Sequence, residues 1–345
     1  MPKRSDQNKR TNQGLENGRS FMRDNLVNRD CVSDLFGTRR HFATAVASTV
    51  AGAIATSSIF ANDQPGEDPG AAPESNGTEI EPRIYKAVKV SMIPREMPLL
   101  EQFRLAKDVG FDGISLFAPG SHYSAVEAIA AREETGLMIH NVNNSVHWKQ
   151  RLSDPDQRVR AQSVDALMAA IRFAHEVGAS SVLLVVGKVT DPESENHDQV
   201  WHRSIEGIRR ALPLASKLGV RILCENVMNG FCETPQLWNQ YLDEIGDPWV
   251  GAFFDIGNHQ SMGGAENWIA ALGERTVKLD VKGHDSTIQR NCDTFDGDVD
   301  WPAVRRELHK LRFTGWATAE VPGGGRERLR KVVQDMDEAL AIGKP

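Results

Sequence analysis

The sequence has little of what marks several common protein classes. Among 345 residues there are four cysteines, too few for a disulfide scaffold and with no CxxC pair of metal-binding spacing. No GxGxxG follows the first apolar run, so the phosphate cradle of a dinucleotide-binding fold is missing. Positive charge is also short, with 40 Lys and Arg against 47 Asp and Glu for a net of −7. The distribution is uneven: residues 1–41 carry nine basic and five acidic side chains and 42–61 none, so removing that +4 from −7 leaves −11 on residues 62–345. A body this acidic excludes nucleic acid as a partner, because that affinity comes from Lys and Arg neutralising phosphates. With 40% hydrophobic and 25% charged residues, the rest is ordinary globular composition, neither disordered nor collagen-like.

The N-terminal eighty residues read as an address. A basic, polar stretch ends in Thr38-Arg39-Arg40-His41-Phe42, and an uncharged Ala/Thr/Ser/Val segment runs on to Ala61. Residues 1–61 resemble a twin-arginine export signal. The uncharged segment is long enough to span a bilayer, but Ala, Ser and Thr contribute little to insertion. The expectation is a periplasmic chain that uses the twin-arginine export machinery and has no stable membrane insertion. Residues 62–83, rich in Pro, Gly, Asp and Glu, read as a disordered linker. Loss of the signal removes Cys31 and leaves Cys224, Cys232 and Cys292, an odd number that points away from disulfides.

From Ile84 to Gly343 short apolar runs alternate with helical patterns. The predicted strands are 85–93, 111–118, 137–143, 181–187, 221–227, 250–257, 276–282 and 315–321, each near-continuously apolar as parallel strands buried on both faces should be. Helical spacing covers 156–177, 198–218 and 326–342, with Gly178, Gly219 and Gly343 as stop signals. Eight such units favour a closed (β/α)8 TIM barrel in one domain, 84–343, over an open doubly wound sheet.

Chemistry in such barrels sits at the C-terminal strand ends. The last four predicted strands each carry an acid there: Glu225, Asp255, Asp280 and Glu320, separated by 30, 25 and 40 residues. Period-two alternation puts Leu223 with Glu225, Lys278 with Asp280 and Lys282, and Thr318 with Glu320 on common faces. Four carboxylates cannot ionise together without a compensating cation, and an all-oxygen set suits Mn²⁺ or Mg²⁺ better than Zn²⁺. The alternative is that some of them pair with Lys or Arg at the rim.

Cys224-Glu225-Asn226-Val227, Phe254-Asp255-Ile256-Gly257-Asn258-His259, Asp280-Val281-Lys282-Gly283 and Ala319-Glu320, in that order, resemble the sugar isomerase/epimerase family of xylose isomerase-like TIM barrels. The resemblance spans about 84–343. It implies one divalent metal ion held by Glu225, Asp255, the residue at position 280 and Glu320, with the two glutamates also moving protons. The family's usual ligand at position 280 is a His opening an H-x-K motif. Here Asp280 stands as the substituted ligand, unless His284 swings in or the position is vacant. An extra anionic ligand binds metal harder but leaves a weaker Lewis acid.

A keto-sugar chelated at such a site has an acidified α C–H, and Glu225 and Glu320 are expected to remove and return that proton through an enediolate. His140, Lys188, His259, Lys282 and His284 are expected substrate contacts, with Trp148, Trp201 and Phe117 as aromatics able to stack on a sugar face. Apart from Gly323-Gly324-Gly325, no Gly-rich phosphate loop is evident, which favours a non-phosphorylated carbohydrate. A lyase or dehydratase acting on a keto-polyol begins with the same step, and a non-catalytic sugar-binding barrel is the rival outside enzymology. The sequence leaves a homo-oligomer open. The family's nucleolytic relatives rely on His-rich multi-zinc sites and basic surfaces, which this chain lacks.

Overall fold

In the computed structural model residues 82–342 are described. The predicted signal, nearly all of the predicted linker and Gly343 lie outside the described residues. Eight parallel strands close into a barrel: β1 (Ile84–Lys89), β2 (Gly113–Ala118), β3 (Met138–Asn144), β4 (Ser181–Val185), β5 (Arg221–Glu225), β6 (Val250–Asp255), β7 (Thr276–Val281) and β10 (Gly315–Ala319). Each pairs with its neighbour in the chain, and β1 closes the ring against β10. An antiparallel hairpin, β8 (Gly283–Asp285) with β9 (Arg290–Cys292), is inserted after β7. The fold is the predicted TIM barrel.

The helices are α1 (Leu99–Val109), α2 (Ala125–Thr135), α3 (Gln157–Val177), α4 (His197–Leu218), α5 (Pro235–Ile245), α6 (Ile256–Gln260), α7 (Ala265–Leu272), α8 (Trp301–Lys310) and α9 (Arg326–Leu340). Their boundaries follow local chemistry. The Asp156 side chain accepts from the Arg158 N–H to start α3, and Gly178 ends it in the left-handed region at φ 81°. Asn196 and Gln199 form a capping box on α4. The last helix stops earlier than predicted: Ala341, at φ 52°, caps α9. Among the described residues no helix is long and apolar enough to cross a membrane.

Most predicted strands run two to four residues too far at their C-terminal ends. Met92, Ile93, Val186, Val227, Ile256 and Val321 continue the apolar runs and are buried, but they pack in the loops and short helices that follow the strands. Apolarity there reports burial rather than ladder pairing.

Register fixes what points inward. Glu225 lies level with Phe253 and Phe253 with Lys278, while Asp255 pairs with Asp280 and Asp280 with Thr318. Leu183, Leu223 and Phe253 form an apolar plug inside the barrel, separate from the main core between strands and helices. Beside the plug the interior is polar and connected. Lys278 Nζ donates to His140 O at 2.5 Å and to the Ser180 and Ser181 hydroxyls at 2.9 and 2.8 Å, and Ser181 donates to Asn141 Oδ1. Burial, with Arg221 nearby, lowers the Lys278 pKa to about 7. Trp316 stacks on His140 at 4.7 Å and occupies the space above Gly113, where a Cβ would lie 2.5 Å from the indole.

Candidate metal centre

β5, β6 and β7 end on or one residue after an acid, and Glu320 immediately follows β10, so the four acids meet at one rim of the barrel. Glu225, Asp255, Asp280 and Glu320 each offer an oxygen within 4.8 Å of the other three. Asp255 and Asp280 are fully buried and Glu225 is nearly so, whereas a third of the Glu320 side chain is exposed. Asp255 also caps α6, accepting the Asn258 N–H through Oδ1 at 2.9 Å. Gly257 leaves room for the stem of Lys282, whose Cγ would lie 2.6 Å from a Cβ there.

Two ammonium groups stand among these acids. Lys282 Nζ lies 2.6 Å from Asp255 Oδ2 and 2.9 Å from Glu320 Oε2. Lys89 Nζ lies 2.8 Å from Asp280 Oδ2 and 2.5 Å from Glu320 Oε1. Some acids therefore do pair with lysine, the alternative raised above, yet four carboxylates against two ammoniums leave two negative charges uncompensated. Asp280 Oδ1 is buried without a hydrogen-bond partner. An uncompensated charge of −2 and an orphaned carboxylate oxygen fit one divalent cation with oxygen ligands.

The electrostatics separate the two glutamates. Burial, then the charge of Glu320, pushes Glu225 well above the usual carboxylate range. Burial also raises Glu320, but Lys89 and Lys282 outweigh it and hold that carboxyl below the usual range. Asp255 and Asp280 are pushed up by burial, partly relieved by Lys282 and Lys89 respectively.

A cavity of about 470 Å³ opens over the cluster. Its polar lining includes Lys89, Asn143, His147, Glu225, Asn258, Lys282 and Glu320, and its apolar wall includes Met92, Phe117, Trp148, Leu183 and Met228. Of the expected contacts, Lys282, Phe117 and Trp148 line it. The others do not. His140 is the third residue of β3 rather than its end, because the strand runs on to Asn144, and its ring lies deep against Trp316 and Thr318. Lys188 is exposed in the loop after β4. His259 is sandwiched between Phe254 and Trp268, donating through Nδ1 to Asp255 O at 2.6 Å. Trp201 packs on Phe231 and Tyr241 and donates to Glu244. His284 is buried in the hairpin at 3.0 Å from Asn291, whose amide reaches Asn258 at 3.4 Å. Asn258 in turn donates to Glu225 Oε1 at 3.1 Å.

Lys89, His147 and Asn258 were missed in the sequence. Lys89 left a trace, a charge after Ala87-Val88 where the strand becomes buried, but nothing in the sequence pairs it with a residue 191 positions away. Asn258 stood inside a quoted motif without a role. His147 lies in a loop, where no periodicity assigns a direction.

A family model described as "Xylose isomerase-like TIM barrel" matches residues 103–341. The L-ribulose-5-phosphate 3-epimerase UlaE of Shigella flexneri serotype 5b (strain 8401) is 28% identical over 261 residues, covering 69% of this chain and 91% of its own. Among solved structures, a D-tagatose 3-epimerase-like protein superposes with a TM-score of 0.66 at 17% identity, over 74% of this chain and 97% of its own. The 3-keto-D-glucoside 4-epimerase YcjR of E. coli gives 0.63 at 16% identity, over 75% and 100%.

Proposed function

The chain belongs to the xylose isomerase-like TIM barrel family, and from that membership we propose that it is a divalent-metal-dependent isomerase or epimerase of a non-phosphorylated sugar or keto-sugar. The observation that carries this reading is the convergence of Glu225, Asp255, Asp280 and Glu320 beneath one cavity, with two more negative than positive charges. A Mn²⁺ or Mg²⁺ ion held by these four would polarise the substrate carbonyl and favour charge developing on its oxygen. Glu320, kept ionised by Lys89 and Lys282, is the base that takes the α proton. Glu225, the other glutamate at the cluster, returns one. The pair exchanges roles in the reverse direction. Asn258 orients Glu225, and Phe117 and Trp148 offer faces to a sugar ring.

A neutral substrate is favoured by the lining. Its lysines, Lys89 and Lys282, are both engaged with carboxylates, so a phosphate group would meet Glu225 and Glu320 without a free cation among the described lining residues. The relative named for a phosphorylated sugar therefore guides the reaction class rather than the substrate. We further propose that residues 1–61 direct export to the periplasm by the twin-arginine route and that residues 62–83 form a linker to the barrel.

The test is Mn²⁺ uptake followed by incubation with neutral keto-sugars in D₂O. One equivalent of metal, deuterium at the α carbon and a new stereoisomer or aldose are expected, with Glu225→Gln and Glu320→Gln each about 10²–10⁴-fold slower. Loss of water from the product would instead identify a lyase. Exchange confined to phosphorylated ketoses would overturn the neutral-substrate reading. Sugar binding without turnover, unchanged in both variants, would identify a binding barrel.

A further inference from the structure

The two lysines at the centre come from the first strand and from the residue after β7, and the one on β1 does more than fill space. Lys89 is 7% exposed and would be costly to bury alone, yet it lies among four acids supplied by β5, β6, β7 and the residue after β10. It takes one oxygen of Asp280, Oδ2, at 2.8 Å. The other, Oδ1, is buried and unpartnered on a carboxylate whose ligand atom lies within 4.8 Å of those of the other three acids. Asp280 is thus divided, with one oxygen held by an internal cation and one left for an external cation.

The charges give this division a consequence. With Lys89 the site stands at −2, the charge that one divalent ion cancels. Without it, the same ligands would stand at −3, a better match for a trivalent ion. We propose that Lys89 is a positioning residue and internal counter-charge, which holds Asp280 by one oxygen and tunes the four-carboxylate site to divalent cations. The proposal rests on the metal-centre reading given above.

Calorimetric titration of the full-length chain with Mn²⁺ and with La³⁺ tests it without reference to turnover. Lys89→Met is expected to bind Mn²⁺ about tenfold more tightly or better and to gain still more for La³⁺, since a nearby positive charge has been removed. Asp280→Asn, which keeps Lys89, is expected to bind Mn²⁺ about tenfold more weakly. The double variant removes one charge of each sign and is expected to return to within about threefold of the parent, the sum of two opposite effects, whereas a merely structural lysine would leave it as weak as Asp280→Asn. Should Lys89→Met fail to fold, Lys89→Gln, which keeps a donor for Asp280 but no charge, is expected to show the same gains. If the parent binds Mn²⁺ and the neutral variants bind it equally or more weakly, the counter-charge role is overturned while the metal centre stands. If the parent binds no divalent ion, the metal-centre reading falls and takes this inference with it.

Discussion

His147 shows how one backbone contact can decide what a side chain offers. The Val185 N–H donates to its Nδ1 at 3.1 Å, which puts the proton of the neutral ring on Nε2. Burial, then the charge of Lys89, lowers its pKa to about 3, so the ring stays neutral at any pH above that range. Lining the cavity, it is a fixed donor suited to a carbonyl or hydroxyl. His147→Phe is expected to raise KM by about tenfold, the loss of one hydrogen bond, and to leave the pH profile of kcat between pH 5 and 8 unaltered. An unchanged KM, or the disappearance of a limb near neutral pH, would contradict this. The four acids were legible because each recurs once per strand–helix unit at a strand end. Lys89 and His147 were not, because their meaning lies in contacts across the barrel and in a loop. The misplaced histidines show the converse: His140 and His259 sit near the right strands, but register and packing turn them away from the cavity.

Loops at the rim are elements in their own right, and the one after β4 is anchored by a buried acid. Glu195 accepts from Arg151 Nε and Nη2 at 2.9 and 2.7 Å and from Ser153 Oγ at 2.6 Å, and is also bonded by the Thr190 hydroxyl. It thereby fastens the β3–α3 connection to the β4–α4 connection. Burial raises the carboxyl, but the hydrogen bonds from Arg151, Ser153 and Thr190 outweigh it and leave the pKa lowered. A lowered folded-state pKa contributes stability above the unfolded value, and that stability is lost as pH falls through the folded value. Glu195→Gln is therefore expected to cost about 1–3 kcal/mol at pH 7, with the gap to the parent closing below about pH 4. Denaturant melts at several pH values measure this, and a gap independent of pH would refute it. Nothing in the sequence announced this clamp. Strand and helix order was readable because burial imposes a period on each element, whereas loop contacts follow no period.

At the scale of the whole chain, the sequence sufficed for eight strand–helix units and therefore for closure. It erred mainly by extending strands into the apolar turns above them. The proposed export signal makes its own prediction: Arg39→Lys with Arg40→Lys is expected to hold the chain in the cytoplasm, as fractionation would show, and unaltered export would refute the twin-arginine route. Closure of the barrel bears on the order of events during folding. The four clustered acids arise late in the sequence, between positions 225 and 320, while the lysine that holds Asp280 arises at position 89. The strand carrying that lysine pairs early with β2, but it is brought against the last strand only when β1 meets β10, a pairing of long sequence separation that is slow to form. A chain emerging from the ribosome thus has no finished centre until its last strand has docked against its first. On the proposed metal-centre reading, tight and selective metal uptake would signal that folding is complete, and a partly folded chain would be spared from trapping ions in the wrong place.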